Sequence, residues 1–120
     1  MRGLTLILAG SDPSRFRAAL SLAAASAATG AGTRLYLHGD AVALLGSSLV
    51  SPDDDRYHAA GLPTLAQMVG EALGLGVGLI CCQTGLAMAG LEADALDPQI
   101  EVGGLVGLMA TLGDDRLVMI

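Results

Sequence analysis

The sequence predicts a three-layer α/β/α protein, with a mainly parallel sheet of about five strands and helices on both faces. Short apolar runs rich in Leu, Ile and Val alternate along the chain with Ala- and Leu-rich segments at helical spacing. Turn-forming residues, mostly Gly, Asp and Pro, separate these runs. We expect the 120 residues to form one domain over 1–120.

The first strand and helix are predicted near the N-terminus. Residues 4–9 form an apolar run that ends in Gly-Ser-Asp-Pro, which is typical of a buried strand followed by a turn. Ser11 or Asp12 can cap the following helix, with Pro13 in its first turn. The apolar face of this helix is expected at Phe16, Leu20, Ala23, Ala24 and Ala27.

The second strand is predicted over residues 34–38, and it ends in Gly-Asp. Asp40 can cap a short helix over 41–45. Residues 47–62 are the most polar segment, which indicates a surface loop or, alternatively, a lid over a site. A third helix is predicted over 63–73, where apolar residues return at helical spacing.

The second half of the chain continues the alternation of strands and helices. The apolar run before Gln83 predicts a third strand, and a short helix that holds Leu86, Ala87 and Met88 and ends at Gly90 follows it. The predicted elements are a strand over 75–82, a short helix after Thr84, a helical turn within 92–98, a strand over 100–102, a helix opened by Gly103 and Gly104 and running to Leu112, and a strand over 117–120.

Composition and charge exclude several classes of function. The chain has six Arg, no Lys and twelve acidic residues, so it lacks the clustered positive charge that nucleic-acid binding needs. The absence of Lys excludes Schiff-base chemistry and a P-loop lysine. No apolar stretch reaches the roughly 18 residues of a membrane span. Because 52% of the residues are hydrophobic and only 15% are charged, we expect part of the apolar surface to be covered in a homo-oligomer.

The two cysteines, Cys81 and Cys82, are adjacent. Their Cα atoms stand about 3.8 Å apart across a trans peptide, whereas disulfides usually need roughly 4.4–6.8 Å. We therefore expect two free thiols in a reducing compartment, the cytoplasm. The apolar N-terminus is followed by Asp12, Pro13 and Arg15 in place of a cleavage region, so it does not read as a signal peptide.

Cys82 is the candidate reactive residue. It ends a predicted strand just before a helix start, where Thr84 can be the N-cap and free backbone N–H groups favour a thiolate. Side chains alternate along a strand, so Cys81 is expected to point to the other face as a small core residue. The alternative is that both thiols are inert, because free cysteines are among the most buried residues.

Two histidines are candidate neighbours of this thiol. His38 ends the second strand at the same edge of the sheet, where it can accept the thiol proton or bind an anion, or else simply be a surface residue. His58 lies in the polar segment and can reach the cysteine only if that segment folds over it. Asp12 and Asp40 occupy equivalent turns and are explained by helix capping.

Other ligand-binding patterns lack support. The glycines at 74, 76 and 78 precede a strand, whereas a dinucleotide fingerprint follows one. The cysteines and distant histidines lack zinc spacing, there is no CxxC motif, and the acidic run 53–55 indicates a solvated loop. We therefore expect no metal and no cofactor.

Three segments resemble the DsrE/DsrF-like sulfur-relay family. They are Gly-Val-Gly-Leu-Ile-Cys-Cys-Gln-Thr at 76–84, Met-Ala-Gly-Leu at 88–91, and Glu-Val-Gly-Gly-Leu-Val at 101–106. The Cys-Gln pair at a strand end, here Cys82 and Gln83, is the most specific of these features. The opening strand, the Ala-rich helix and the Tyr-Leu-His-Gly-Asp strand end at 36–40 are also similar.

The resemblance implies a three-layer α/β domain that assembles as trimers or hexamers. It also implies that the strand-end cysteine, Cys82, carries sulfur as a persulfide between donor and acceptor proteins. The residues expected to support Cys82 are Gln83, Thr84, His38 and Cys81. A second hypothesis is a non-catalytic oligomeric module that binds a small ligand or a partner in the same cleft. A peroxide-sensing thiol pair is a third, and its strained ring makes it the weakest.

Overall fold

The computed structural model describes residues 1–46 and 49–120, and it has five parallel strands in the order β4-β3-β2-β1-β5. The strands are β1 (Leu4–Ala9), β2 (Thr33–His38), β3 (Gly78–Cys82), β4 (Glu101–Gly103) and β5 (Arg116–Met119). The α-helices are α1 (Pro13–Ala28), α2 (Asp54–Ala59), α3 (Leu65–Gly74), α4 (Gln83–Met88) and α5 (Leu105–Ala110), and 3-10 helices cover Gly39–Leu45 and Ala93–Ala95. This architecture confirms the predicted three-layer α/β fold with its parallel sheet.

One face of the sheet is the main core. The strand register places leucines of β1, β2 and β3 side by side on this face, together with Cys81. Helix α1 packs on β1 and β2, and α3 packs beside α1. The residues of this face are fully buried: Leu6, Leu8, Leu35, Leu37, Leu79 and Cys81.

The opposite face carries the alternate residues of the same strands. On β2 these are Arg34, Tyr36 and His38, and on β3 they are Ile80 and Cys82. Helix α5 lies over this face, because the Arg34 guanidinium donates to Thr111 Oγ1 at 2.7 Å just after the helix ends. Cys81 and Cys82 therefore point to opposite sides of the sheet, as the alternation of side chains predicts.

Arg34 also provides hydrogen bonds to the buried hydroxyl of Thr5 on this face. Its Nε and Nη2 donate to the hydroxyl of Thr5, which is fully buried, at 3.1 and 3.0 Å. Thr5 in turn donates to Asp115 Oδ2 at 2.8 Å, and Arg34 lies 3.8 Å from the same carboxylate. The network joins β1, β2 and the start of β5, so it fixes three strands at the amino end of the sheet.

The polar segment differs from the predicted loop, because it contains helix α2. Asp54 accepts hydrogen bonds from the backbone of Ser51 and Leu65, at 2.9 and 3.0 Å. Arg17 of α1 lies 3.4 Å from the Asp54 carboxylate and stacks on the Tyr57 ring, 3.6 Å from its centroid. The segment is thus fastened to α1, on the face away from Cys82. Ser47 and Ser48, at the start of the predicted segment, lie outside the described residues.

The structure confirms one predicted helix cap and corrects a second cap and the start of a strand. Asp12 caps α1, as predicted, by accepting from Ser14 N at 2.9 Å. Asp40 was expected to cap the next helix, but it lies inside the Gly39–Leu45 3-10 helix and makes no capping bond. Strand β3 begins at Gly78 and not at 75, because α3 extends to Gly74 and the chain turns at Gly76, where φ is +87°.

None of the helices in the described part of the chain has the length and apolar character needed to span a bilayer.

Candidate functional site

Cys82 lies at the junction of β3 and α4. It is the last residue of the strand and also the N-cap of the helix, with extended backbone angles of φ −78° and ψ 143°. Its Sγ accepts a hydrogen bond from Gly85 N at 3.2 Å, in the way that a Ser or Asp oxygen caps other helices. The strand end and the helix start therefore both fix the position of this sulfur.

A second amide reaches the sulfur from the neighbouring strand. Gly39, directly after β2, donates its N–H to Cys82 Sγ at 3.1 Å. Strands β2 and β3 are parallel neighbours, so they end at the same edge, and a φ of +56° at Gly39 starts the 3-10 helix there. Two backbone donors from two different elements converge on one sulfur atom, which is an arrangement that suits a negatively charged acceptor.

Thr84 does not have the role predicted for it. It was expected to be the N-cap of α4, but the helix begins at Gln83 and Cys82 is the cap. The prediction was wrong because it assumed an oxygen side chain at this position, whereas the cysteine sulfur accepts the same N–H group. Gln83 and Thr84 are instead exposed residues at the rim of the cavity described below.

Gly85 leaves no space for a side chain. A Cβ atom at this position would overlap the carbonyl oxygen of Gly39, and it would lie 2.6 Å from Val42 Cγ2 and 3.0 Å from Cys82 Sγ. The contact between α4 and the Gly39–Leu45 3-10 helix is therefore as close as backbone atoms allow. This close approach brings both N–H groups to the sulfur.

A cavity of about 320 Å³ opens beside the sulfur. Cys82 is 6% exposed, so only this side of the residue can be reached. The cavity is lined by Tyr36, His38, Gly39, Cys82, Gln83, Thr84, Gly103, Gly104 and Leu105. The structure thus brings together three of the predicted supporting residues, His38, Gln83 and Thr84, around Cys82.

Cys81 lies outside this cavity. It is fully buried among the leucines on the other face of the sheet. Burial, followed by the charge of Cys82, raises the pKa of the Cys81 thiol above its ordinary value. A thiol that is buried and held protonated is poorly suited to nucleophilic chemistry, which agrees with the core role expected for Cys81.

His38 lines the cavity beside Cys82, and among the described residues the hydrogen bonds to the sulfur come from Gly39 and Gly85. Its Nδ1 atom is buried and has no hydrogen-bond partner among the described residues. Its ring stacks on that of Tyr36, with centroids 6.2 Å apart and planes at 30°. Buried ring nitrogens usually have partners, so this nitrogen is a candidate contact for a ligand in the cavity.

Tyr36 is the site residue that the sequence analysis missed. It is 1% exposed and lines the cavity beside Cys82. Burial, followed by the charge of Cys82, raises the pKa of its phenol to about 12. The signal was present in the sequence, because Tyr36 is two residues before His38 and must share its face of the strand.

His58 is not brought to the sulfur. It lies at the end of α2 beside a wider cleft of about 680 Å³, which is also lined by Pro63, Gln67 and Glu71 and shares no residue with the cavity at Cys82. In the described ranges, no cluster of three His, Cys, Asp or Glu side chains could hold a metal ion.

Comparisons with known proteins agree with this fold. The model of the DsrE/DsrF-like family matches residues 4–119. The chain is similar to the crystal structure of the ychN protein from E.coli, with a TM-score of 0.72 and 22% sequence identity over 100% of both chains. No curated protein sequence matches the chain.

Proposed function

Because this chain belongs to the DsrE/DsrF-like family, we propose that it is a sulfur carrier that uses Cys82 as its nucleophile. The Cys82 thiolate attacks the outer sulfur of a donor persulfide, R–S–SH. A bond forms between Sγ and that sulfur while the donor's S–S bond breaks, and the electron pair of the broken bond leaves with the donor as R–S⁻. The product on this chain is Cys82–S–SH.

Discharge is the same exchange in reverse order. An acceptor thiolate attacks the outer sulfur of Cys82–S–SH and becomes a persulfide, and the Cys82 thiolate is regenerated. Both steps are thiol exchanges, so their rates depend on the fraction of thiolate and on access to the sulfur. No electrons are gained or lost overall, and no cofactor is needed.

The observation that carries this proposal is the pair of amide donors at Cys82 Sγ. Gly39 and Gly85 donate at 3.1 and 3.2 Å to a sulfur that faces a cavity of about 320 Å³. The two N–H groups stabilise negative charge on Sγ both before the attack and after discharge, when Cys82 is the leaving group. The cavity gives the outer sulfur a place and leaves the incoming thiol a path.

Loading and discharge provide the test. The protein is incubated with a small persulfide or polysulfide donor, desalted and examined by intact-mass spectrometry, and an acceptor thiol is then added. We expect a gain of one sulfur atom that disappears when the acceptor is added. Cys82→Ser keeps a good N-cap and should fold, but it should gain no sulfur. Equal loading of wild type and Cys82→Ser would overturn the proposal.

A non-catalytic binding module is the second candidate. It is favoured by the unpartnered His38 Nδ1 at the cavity, because such a nitrogen can recognise a small ligand without any sulfur chemistry. Under this alternative, Cys82→Ser leaves binding of the small thiol or partner intact. Under the carrier proposal, the same variant removes the covalent adduct.

The partners in this proposal are donor and acceptor proteins and further copies of the chain. The exposed apolar side chains of α5 and β5 support a homo-oligomer, of three or six copies by analogy with the family: Leu105, Val106, Met109, Leu117 and Met119. The two free cysteines are in keeping with a cytoplasmic protein that exchanges sulfur with other reduced thiols.

A further inference from the structure

The hydroxyl of Tyr36 is a hydrogen-bond donor at the cavity beside Cys82. The residue is 1% exposed and lines this cavity together with Cys82. After burial, Cys82 contributes to the raised pKa of the Tyr36 phenol, so the hydroxyl lies close to the sulfur. Buried hydroxyls are normally paired, so a sulfur atom added in this cavity is a natural acceptor for it.

The strand register places this hydroxyl on the sulfur's side of the sheet. Tyr36 pairs with Ile80, and Cys82 is two residues further along the same strand and the same face. The stacking of the Tyr36 ring on His38 holds the ring in one orientation. Burial, followed by the charge of the nearby Cys82, raises the pKa of the phenol to about 12, so the hydroxyl keeps its proton at physiological pH and can donate a hydrogen bond.

The sulfur already has its own donors. Sγ accepts from Gly39 N and Gly85 N, and both bonds come from the backbone at the strand ends. A persulfide adds one sulfur atom about 2.05 Å from Sγ, and the cavity is the side of Cys82 on which that atom has room. Gln83 and Thr84 line the same cavity from exposed positions at its rim, where water competes for their hydrogen bonds.

We propose that Tyr36 is the binding residue for the outer sulfur of the Cys82 persulfide, to which its hydroxyl donates a hydrogen bond. This inference rests on the carrier function proposed above. The two amides hold the inner sulfur, and the phenol holds the outer one once it has lost its proton to solvent and become a perthiolate. Because the outer sulfur has its own donor, the site favours a bound group whose terminal sulfur is free and negatively charged. A disulfide has no such terminal sulfur.

The test compares Tyr36→Phe with Tyr57→Phe. Tyr36→Phe removes one oxygen and keeps the ring that packs against His38. Tyr57 is the other tyrosine of the chain, and it lies on α2 against Arg17, so it is the matched control. Each protein is equilibrated with the same ratio of a small-molecule persulfide to its thiol, and the sulfur on Cys82 is measured by intact mass across a pH series.

We expect Tyr36→Phe to hold about tenfold less persulfide at equilibrium in neutral buffer, because a hydrogen bond to a charged group is worth about one factor of ten or more. The pH midpoint of perthiolate formation should rise by about one unit. The pH profile for alkylation of the sulfur-free thiol should change less than that of the persulfide, since Gly39 and Gly85 still donate to Sγ. Tyr57→Phe should match wild type in all three measurements.

The outcomes separate this inference from the function on which it rests. If wild type loads sulfur and Tyr36→Phe loads it equally well with the same pH profile, Tyr36 has no such role and the carrier function stands. If Tyr36→Phe shifts the alkylation profile of the free thiol as much as that of the persulfide, its effect is structural and the inference fails. If wild type takes up no sulfur on Cys82, both proposals fall.

Discussion

The two adjacent cysteines show how strongly a single residue's chemistry depends on its surroundings. Cys82 has two backbone N–H donors and a cavity, whereas Cys81 lies fully buried among leucines. Strand alternation separates them, because one peptide step moves the side chain to the other face of the sheet. Gly85 then decides how closely the two amides can approach Cys82.

Gly85→Ala tests that close approach. The new methyl group would overlap Gly39 O, so α4 must move away from the 3-10 helix and lengthen both N–H···S bonds. We expect a loss of about 1–3 kcal/mol in the free energy of unfolding, together with slower persulfide formation. Denaturant titration and the loading rate measure the two effects.

Gly70→Ala is the control for this substitution. Gly70 lies within α3 with open space around its missing Cβ, so alanine there should stabilise the protein by about 0.5–1 kcal/mol. Persulfide formation should be unchanged. A Gly85→Ala protein that loads sulfur at the wild-type rate would show that the amide pair does not matter for the reaction.

At the scale of single residues, the sequence allowed Cys82 to be separated from Cys81, but it did not allow the full site to be predicted. Alternation along one strand depends only on local geometry, so the faces of Cys81 and Cys82 follow from their positions. The Gly39 amide and the Tyr36 hydroxyl reach Cys82 from β2, and that contact depends on strand order and register. Neither can be read from one sequence without knowing which strands are neighbours.

At the scale of elements, the segment around α2 is held against α1 by side-chain contacts and does not cover the Cys82 thiol. Asp54 joins the chain before α2 to the start of α3 through Ser51 N and Leu65 N, and it pairs with Arg17. These interactions hold the pKa of the Asp54 carboxyl below its ordinary value, with the Ser51 N–H as the largest cause. The short helix was missed because its first turn is a run of aspartates, which reads equally well as a loop.

Asp54→Asn tests how much the contacts of the Asp54 carboxylate contribute to stability. The amide can keep only part of the hydrogen bonding and loses the charge, so we expect a loss of about 1–2 kcal/mol in the free energy of unfolding at neutral pH. Because the pKa of the native carboxyl is lowered, its contribution is present above the ordinary value of 3.8 and declines as pH falls below it. The stability gap between wild type and variant, measured by denaturant titration, should therefore narrow in acid.

Asp55→Asn is the matched control for charge, since Asp55 is exposed on the same helix. It should leave stability nearly unchanged. The alkylation rate of Cys82 should be the same in wild type and in both variants, because α2 packs on α1, on the side of the sheet away from Cys82. A clear increase in that rate in Asp54→Asn alone would restore the lid hypothesis.

At the scale of the whole molecule, the two faces of the sheet are unequally covered. Helices α1 and α3 bury one face, whereas the six-residue α5 covers only part of the other. Val106 is 85% exposed on α5, and Met119 is 66% exposed on the edge strand β5. The composition already predicted an excess of apolar surface, but only the fold shows that this surface adjoins the cavity, through Leu105.

Val106→Glu tests whether this surface joins copies of the chain. A charge on α5 should disfavour a buried apolar contact, so we expect the variant to sediment as a smaller species than wild type. Leu22→Glu is the control, because Leu22 is also exposed but lies on α1. Dissociation by Leu22→Glu alone would place the contact on the other side of the molecule.

The most direct measurement of the proposed chemistry is the mass of two cysteine variants after exposure to a persulfide donor. We predict that Cys81→Ala gains one sulfur atom and releases it to an acceptor thiol, and that Cys82→Ser gains none under the same conditions. Loading of Cys82→Ser, or failure of a folded Cys81→Ala protein to load, would contradict the assignment of Cys82 as the sulfur-carrying residue.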